Sequence, residues 1–294
     1  MKFLDKIKAF LIATRPKTLA ASIVPVLIGT SVASNSSTIN YRIFAIILVC
    51  SIFIQILSNY YNELYDYKYG ADTTDRIGPQ RMVASGRISP NEMSFVSIVL
   101  TVITFILGLE IVEYSDFYIL LIGIASLFFA FAYTGGPYPL AYKGLGEVFV
   151  FIFFGLVAVN GTYYVFTRDV NLISLLVSIP PGLHSTNLLL INNIRDIESD
   201  RKVGKTTLAV KIGRSQAILL FRLLVALSYI PVLVLYFITN VNAFLLIFLT
   251  TPITYKLIRE ISRKQGKEMN ALIGLNSILM LLFCLIICGI FIIF

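Results

Sequence analysis

Tyr41-Arg-Ile-Phe-Ala-Ile-Ile-Leu-Val-Cys50-Ser-Ile-Phe-Ile-Gln55-Ile-Leu-Ser-Asn59-Tyr-Tyr-Asn62-Glu63-Leu-Tyr-Asp66 is apolar for most of its length, then turns polar on one side only. A helix needs about 20 mostly apolar residues to cross the hydrocarbon core of a bilayer, and positions 41–61 supply them. At about 100° per residue, Gln55, Asn59, Asn62 and Asp66 fall within roughly a 60° arc of one helix face. Polar side chains stacked along the end of a membrane span are costly unless they face a wet or ligand-filled cavity. The stretch therefore predicts a spanning helix with a site built on its end.

The rest of the chain agrees with a membrane protein. Hydrophobic residues make up 57% of the 294 residues and Asp, Glu, Lys and Arg only 14%, whereas a soluble domain carries roughly 25% charged residues. That is too little charge to cover a water-exposed surface. Apolar runs near 18–34, 41–61, 91–112, 117–134, 146–166, 171–193, 216–237, 242–258 and 271–294 predict an all-α polytopic membrane protein. About nine transmembrane helices are expected around a central cavity, in one integral membrane domain covering 1–294. Phe3, Leu4, Ile7, Phe10 and Leu11 lie opposite Lys2, Lys6 and Lys8, which predicts a short helix on the membrane surface before the first span. It does not read as a signal peptide, because Lys6 and Lys8 interrupt any apolar core.

The charges orient the chain. The N-terminal arm and every second loop (62–90, 135–145, 194–215 and 259–270, with Lys256 at its edge) hold 21 of the 24 Lys and Arg. The opposite loops hold Arg42 and Arg168, and Arg222 lies within a span. By the positive-inside rule the N-terminus is cytoplasmic and the C-terminus outside. The net charge of +8 thus reflects topology, and no nucleic-acid partner is expected. Cys50, Cys284 and Cys288 fall in apolar runs and suggest neither disulfides nor a zinc site.

Both long loops, 62–90 and 194–215, lie on the cytoplasmic side, where function is to be sought. The second is entered through Asn192-Asn193-Ile-Arg195-Asp196-Ile-Glu-Ser-Asp200. Asn62-x3-Asp66 and Asn192-x3-Asp196 share one spacing, each at the end of an even-numbered span, which suggests two half-repeats, about 15–134 and 145–258, with a ninth helix at 271–294. Carboxylates one turn apart with Asn beside them are hard oxygen ligands suited to Mg²⁺, which keeps waters and binds through substrate phosphates. Arg76, Arg81, Arg87, Arg195, Arg201, Lys202 and Lys205 supply cation enough for a diphosphate. Metal, phosphate and membrane together imply a lipid phosphate substrate. Gly204-Lys205-Thr206 resembles the end of a P-loop, but position 199 is Ser and no strand precedes it, so no ATP site is expected. His184, after Pro180-Pro181-Gly182, reads as a polar residue at a helix kink.

These residues resemble the intramembrane aromatic prenyltransferases of the UbiA superfamily. Asn62, Glu63, Asp66 and Asp72 match the first motif, with Glu63 in place of the usual Asp, and Asp196 and Asp200 match the second. Arg15-Pro16-Lys17-Thr18-Leu19, the six-residue step from Asp66 to Asp72, Asp75-Arg76-Ile-Gly-Pro79 and Tyr133-Thr-Gly-Gly-Pro-Tyr-Pro-Leu-Ala-Tyr-Lys143-Gly-Leu-Gly-Glu147 are similar to the branch acting on 1,4-dihydroxy-2-naphthoate. The superfamily's Tyr-x3-Lys after the fourth helix is altered: Tyr138 is followed at the fourth position by Tyr142, with Lys143 one later.

The resemblance implies that Asp66, Asp72, Asp196 and Asp200 are catalytic and, with Asn62, hold two Mg²⁺ ions through the diphosphate. It also implies that Asn59, Asn62, Arg76, Arg81, Tyr138, Lys143, Asn192, Arg195, Arg201 and Lys205 bind substrate. A polyprenyl group would pass from polyprenyl diphosphate to the aromatic acid with loss of carbon dioxide, giving a demethylmenaquinone. The setting would be a bacterial plasma membrane, with the loops cytoplasmic. Another aromatic acceptor, of the 4-hydroxybenzoate or homogentisate type, is the nearest alternative. A membrane transporter is the more distant one, and acids clustered at helix ends on one side favour the enzyme.

Overall fold

The computed structural model describes residues 3–72 and 78–294, and among them every regular element is helical. A surface helix α1 (Phe3–Ala13) leads into α2 (Ala20–Ala33) across a break at Arg15, whose φ of 52° is left-handed. The two segments meet at 55°. Then follow α3 (Tyr41–Lys68), α4 (Pro90–Tyr114) and α5 (Phe117–Ala132). The next rod consists of α6 (Gly146–Phe151), one wide turn over Ile152–Val157, and α7 (Ala158–Thr167). Beyond it lie α8 (Leu172–Arg195), the short α9 (Ile197–Lys202), α10 (Leu208–Leu227) and α11 (Ile230–Thr239). The tightly wound segment Asn242–Thr250, α12 (Thr251–Arg263) and α13 (Asn270–Ile293) complete the chain.

Helix starts are set by side chains that satisfy the first backbone N–H groups. The Asn40 side chain accepts from the Arg42 and Ile43 amides at the head of α3. Ser89 and Glu92 form a reciprocal capping box at α4, with Pro90 in its first turn. Asn171 and Ser174 do the same for α8. At about 1.5 Å per residue, the 28 residues of α3 run roughly 42 Å. The hydrocarbon core is about 30 Å thick, so the last turns of α3 stand clear of it and carry Asn62, Glu63 and Asp66 beyond the apolar zone.

Six segments are long and apolar enough to cross a membrane: Tyr41–Lys68, Pro90–Tyr114, Gly146–Thr167, Leu172–Arg195, Leu208–Thr239 and Gly266–Ile293. The bent pair Leu4–Thr18 and Ala20–Ala33 makes a seventh if taken as one span. Two of the nine expected segments are weaker. Phe117–Ala132 is apolar but has only 16 residues. The eighth segment is a tight turn running into α12, whose later turns carry Lys256, Arg259, Glu260 and Arg263. Arg222, within a span by sequence, donates to the Ile258 carbonyl and the Ser262 hydroxyl of α12, so its charge ends at a polar helix terminus.

Without a hydrophobic drive between helices in lipid, close packing depends on small residues. α2 lies against α3, α7, α8 and α13, and the wide turn lies against α8. A Cβ on Gly155 would sit 2.8 Å from the Gly182 Cα and 2.8 Å from the Ser178 carbonyl oxygen, both backbone atoms. Pro180 and Pro181 lie inside α8 at that same contact. Apart from the main core, Ala9, Ala13, Tyr60, Leu64, Met82, Val83, Ile88 and Met93 form a small separate one, which seats the segment after Pro79 on the end of α3. Gly155→Ala is expected to destabilise the protein in detergent by about 1–3 kcal/mol through overpacking. Gly289→Ala, with nothing within 4 Å of its Cβ, is expected to be neutral. Thermal melting of the two variants side by side checks this.

Candidate active site

A cavity of about 570 Å³ opens between the end of α3, the break before α2, the start of α6, the end of α8 and the start of α13. Its wall includes Asn59, Asn62, Arg81, Asn192, Arg195, Asp196, Asp200 and Lys205. The two motifs separated by 130 positions thus face one space. Asn62 donates its amide N–H to the Ser58 carbonyl at 2.8 Å and Asn192 to the Leu188 carbonyl at 3.0 Å. Each bonds back one turn along its own helix. Asn59 instead donates to the Thr14 carbonyl at 2.9 Å and ties the Arg15 break to α3.

Asp66 is fully buried and stands behind this wall. Its Oδ2 accepts from Arg81 Nη2 at 2.8 Å and its Oδ1 from the Tyr142 hydroxyl at 2.7 Å, with Lys205 Nζ 3.5 Å from Oδ1. Three loops distant in sequence therefore converge on one carboxylate. Burial, followed by the neighbouring Asp66, pushes the Tyr142 hydroxyl well above the usual phenol range, so it stays a proton donor. Lys205 also lies over the Tyr142 ring, 4.9 Å from its centroid, and Thr206 donates through its amide and its hydroxyl to the Tyr142 carbonyl.

Arg81 is nearly as buried and serves three acids. It lies 3.2 Å from Glu63, 2.8 Å from Asp66 and 3.3 Å from Asp72. Glu63, where the related motif carries Asp, reaches one methylene further and accepts the Met82 and Val83 amides at 2.7 and 3.2 Å. It is a brace that holds the segment around Arg81 in place. Across the cavity, Arg195 grips both oxygens of Asp196 at 2.8 and 2.6 Å and extends its remaining nitrogen to Asn270 on α13.

The donor set suits a hard divalent cation. Glu63, Asp66 and Asp72 gather around Arg81, with Lys205 beside Asp66, and Asp196 and Asp200 line the cavity. Among the described residues no three acid, His or Cys side chains close into a ready-made shell. An ion held here draws its remaining ligands from water and phosphate, as Mg²⁺ commonly does.

Not every expected residue comes to the cavity. Asp72 lies behind Arg81, outside the wall. Tyr138 is exposed, with Lys143 5.4 Å from its ring centroid, and both lie away from the cavity. Tyr142, four positions after Tyr138, is the ring whose hydroxyl reaches Asp66. Arg201 pairs with Glu198 at 3.5 Å on the outer side of α9. Arg76 lies outside the described residues. Arg15, Lys17, Gln55, Gln80, Tyr133, Asn193 and Asn270 join the wall without having been singled out as site residues. For Gln55 the polar stripe of α3 was the signal; for Asn270 local sequence held none.

A second cavity, of about 210 Å³, is almost wholly apolar and runs between α3, α4, α5 and the α6–α7 rod. Ser58, Tyr133, Val150 and Phe154 line both cavities, so the polar one and the apolar one adjoin at that seam. Phe129, Phe149 and Phe153 cluster along the apolar wall, with centroids 4.9 and 5.1 Å from that of Phe129. Glu63→Ala removes the brace on the Arg81 segment, a loss of about 3–5 kcal/mol for one partner of a buried ion pair. Trypsin is expected to cut after Arg81 far faster in this variant than in the parent, with cleavage elsewhere unchanged. Equal rates would rule out the brace.

Comparison with known proteins agrees with this architecture. The profile of the UbiA prenyltransferase family matches residues 22–285. The chain is 34% identical over 265 residues to the 1,4-dihydroxy-2-naphthoate octaprenyltransferase of Bacillus subtilis (strain 168), covering 90% of this chain and 85% of that one. It is 30% identical over 276 residues to the enzyme of the same name from Mycobacterium leprae (strain TN), covering 94% and 93%. Among solved structures, a UbiA homolog from Archaeoglobus fulgidus bound to GPP and Mg²⁺ superposes with a TM-score of 0.66 at 15% identity, over 97% of this chain and 100% of the other. The apo UbiA homolog from Aeropyrum pernix K1 gives 0.71 at 16% identity, over 94% and 96%. Sequence profile, relatives and fold coincide over nearly the whole chain, and the protein belongs to the UbiA prenyltransferase family.

Proposed function

We propose that this protein transfers a polyprenyl group from polyprenyl diphosphate to 1,4-dihydroxy-2-naphthoate, with loss of carbon dioxide, giving a demethylmenaquinone. The observation that carries the reading is the seam: a cavity of acids, amides and cations adjoins an apolar one across four shared residues. A diphosphate with a long hydrocarbon tail needs both environments side by side. The names of the relatives, which specify the naphthoate acceptor and a polyprenyl donor, support the choice of substrates.

In this reading Asn62, Asp66, Asp72, Asp196 and Asp200 would hold two Mg²⁺ ions together with the diphosphate, Asp66 and Asp72 giving up their contacts to Arg81 to do so. A relative of the same fold bound to GPP and Mg²⁺ supports the use of a divalent ion. Mg²⁺ bound there would supply neutralisation of charge on the leaving diphosphate, which favours ionisation of the allylic C–O bond. Arg81 and Lys205 lie where they can add to that neutralisation, and Tyr142 keeps Asp66 oriented. The tail occupies the apolar cavity, where Phe129, Phe149 and Phe153 offer ring faces to an allylic cation and exclude water.

The chain sits in a bacterial plasma membrane with nine spans, N-terminus cytoplasmic and C-terminus outside. The 21-to-2 division of loop cations supports this orientation. The two half-repeats, about 15–134 and 145–258, are supported by the matched posture of Asn62 and Asn192.

Two experiments test these statements. Single cysteines placed at Ser85 and Ser199, in a chain lacking its native cysteines, are expected to react with impermeant thiol reagents only from the cytoplasmic side. Labelling of either from outside would refute the topology. Carboxyl-labelled 1,4-dihydroxy-2-naphthoate, a polyprenyl diphosphate and Mg²⁺ are expected to yield labelled carbon dioxide and prenylated product one for one, with neither formed once the metal is chelated. Product that retains the label, or preference for 4-hydroxybenzoate, would leave the family standing and remove the substrate.

A further inference from the structure

Most side-chain amides in the wall of the polar cavity are already committed. Asn59, Asn62 and Asn192 donate to backbone carbonyls, Asn193 donates to Glu147, and Asn270 accepts from Arg195. Gln80 is exposed. Gln55 is the exception. It lines the cavity and is 8% exposed, yet its Oε1 is buried without a hydrogen-bond partner. Among the α3 residues of that wall it lies farthest from Asp66, about 6 Å beyond Asn59 at 1.5 Å per residue. Ser51, Ile54 and Ser58, its neighbours along α3, line the apolar cavity. Gln55 therefore stands where the two cavities adjoin, and an unpaired amide at that depth is costly unless a ligand meets it.

We propose that Gln55 is a specificity-determining residue, whose side-chain oxygen accepts a hydrogen bond from the 4-hydroxyl of the aromatic acceptor. The proposal rests on the substrate reading given above. The acids and cations around Asp66 and Asp196 draw the diphosphate, and the apolar cavity takes the tail. That leaves the acceptor ring the deep part of the polar cavity, beside the seam and beside Gln55.

The chemistry of the acceptor selects the hydroxyl. Its carboxylate is attracted by the cations of the wall, and the 1-hydroxyl next to it on the ring already donates to that carboxylate within the molecule. The 4-hydroxyl has no internal acceptor and, once buried, needs one from the protein. An amide suits this task because it accepts without adding charge to a site already rich in acids. A half-turn about the last side-chain bond of Gln55 exchanges its oxygen and nitrogen ends, so the oxygen can be offered to the cavity. An analogue lacking the 4-hydroxyl leaves that amide unpaired under the ring, and a site built to bond a hydroxyl rejects such an analogue.

The test uses the full-length protein with a prenyl diphosphate, Mg²⁺ and two competing acceptors, 1,4-dihydroxy-2-naphthoate and 1-hydroxy-2-naphthoate. The ratio of the two prenylated products reads the ratio of their kcat/KM values. Gln55→Leu is expected to lower the preference for the dihydroxy acid by about 10–100-fold, the loss carried by one buried hydrogen-bond partner. The difference in intrinsic reactivity of the two rings is the same for parent and variant and cancels. Damage to the fold lowers both products alike and leaves the ratio as in the parent, so an unchanged ratio would overturn the proposal. Should Gln55→Leu fail to fold, Gln55→Met, close to Gln in length, decides by the same ratio. A parent protein that prenylates neither naphthoate removes the substrate reading and this role with it. A parent active on the dihydroxy acid, with the ratio unmoved in the variant, removes the role of Gln55 alone.

Discussion

A carboxylate sealed from water has to be compensated where it stands, and Asp66 is such a group. Removing an ion of this kind from water costs several kcal/mol even after relaxation. Its two oxygens are met by Arg81, Tyr142 and Lys205, drawn from three loops that follow three different helix ends. Each donor is itself secured: Arg81 by Glu63 and the small core beneath it, Tyr142 and Lys205 by each other and by Thr206. These helix ends of the bundle are therefore held in register by charge rather than by apolar packing. That is a reasonable arrangement in a protein whose helices gain little from burying apolar surface against one another in lipid.

From that constraint the two-part interior follows. Polar groups are confined to the helix ends around Asp66 and Asp196, while the space between α3, α5 and the α6–α7 rod stays apolar. The wide turn Ile152–Val157, pressed on Gly182, carries Phe153 and Phe154 at the boundary of the two regions. A substrate that is ionic at one end and hydrocarbon for the rest finds each part matched without crossing the bilayer.

How much of this could be read from the chain depends on the range of the interaction. The spanning run 41–61, the polar stripe ending at Asp66 and the matching Asn-x3-Asp spacing are local patterns, and the structure places Asn62, Asn192 and Asp196 around one cavity. Tyr142 could not be assigned in that way. Its partner lies 76 positions away, and the pattern Tyr138-x3-Tyr142-Lys143 draws attention to the wrong pair. Glu63 read only as a departure from the motif, because nothing local shows that Met82 and Val83 would turn their amides toward it. The spans are least marked at two places: Phe117–Ala132 is apolar but has only 16 residues, and Asn242–Thr250 is tightly wound.

The length of α3 has a consequence for the setting in which the protein works. Bilayer span and acid motif are one uninterrupted helix of 28 residues, with no hinge between Cys50 and Asp66 to absorb a change in depth. A thicker or thinner hydrocarbon layer is met by tilting such a helix or by sliding it along the membrane normal. Either response moves Asn62 and Asp66 with the transmembrane part, while the Lys205 side of the constellation follows α8, a separate span with Pro180 and Pro181 inside it. Hydrophobic thickness thus sets the spacing of the two halves of the site, and the acyl-chain length of the surrounding lipid becomes a control on catalytic geometry.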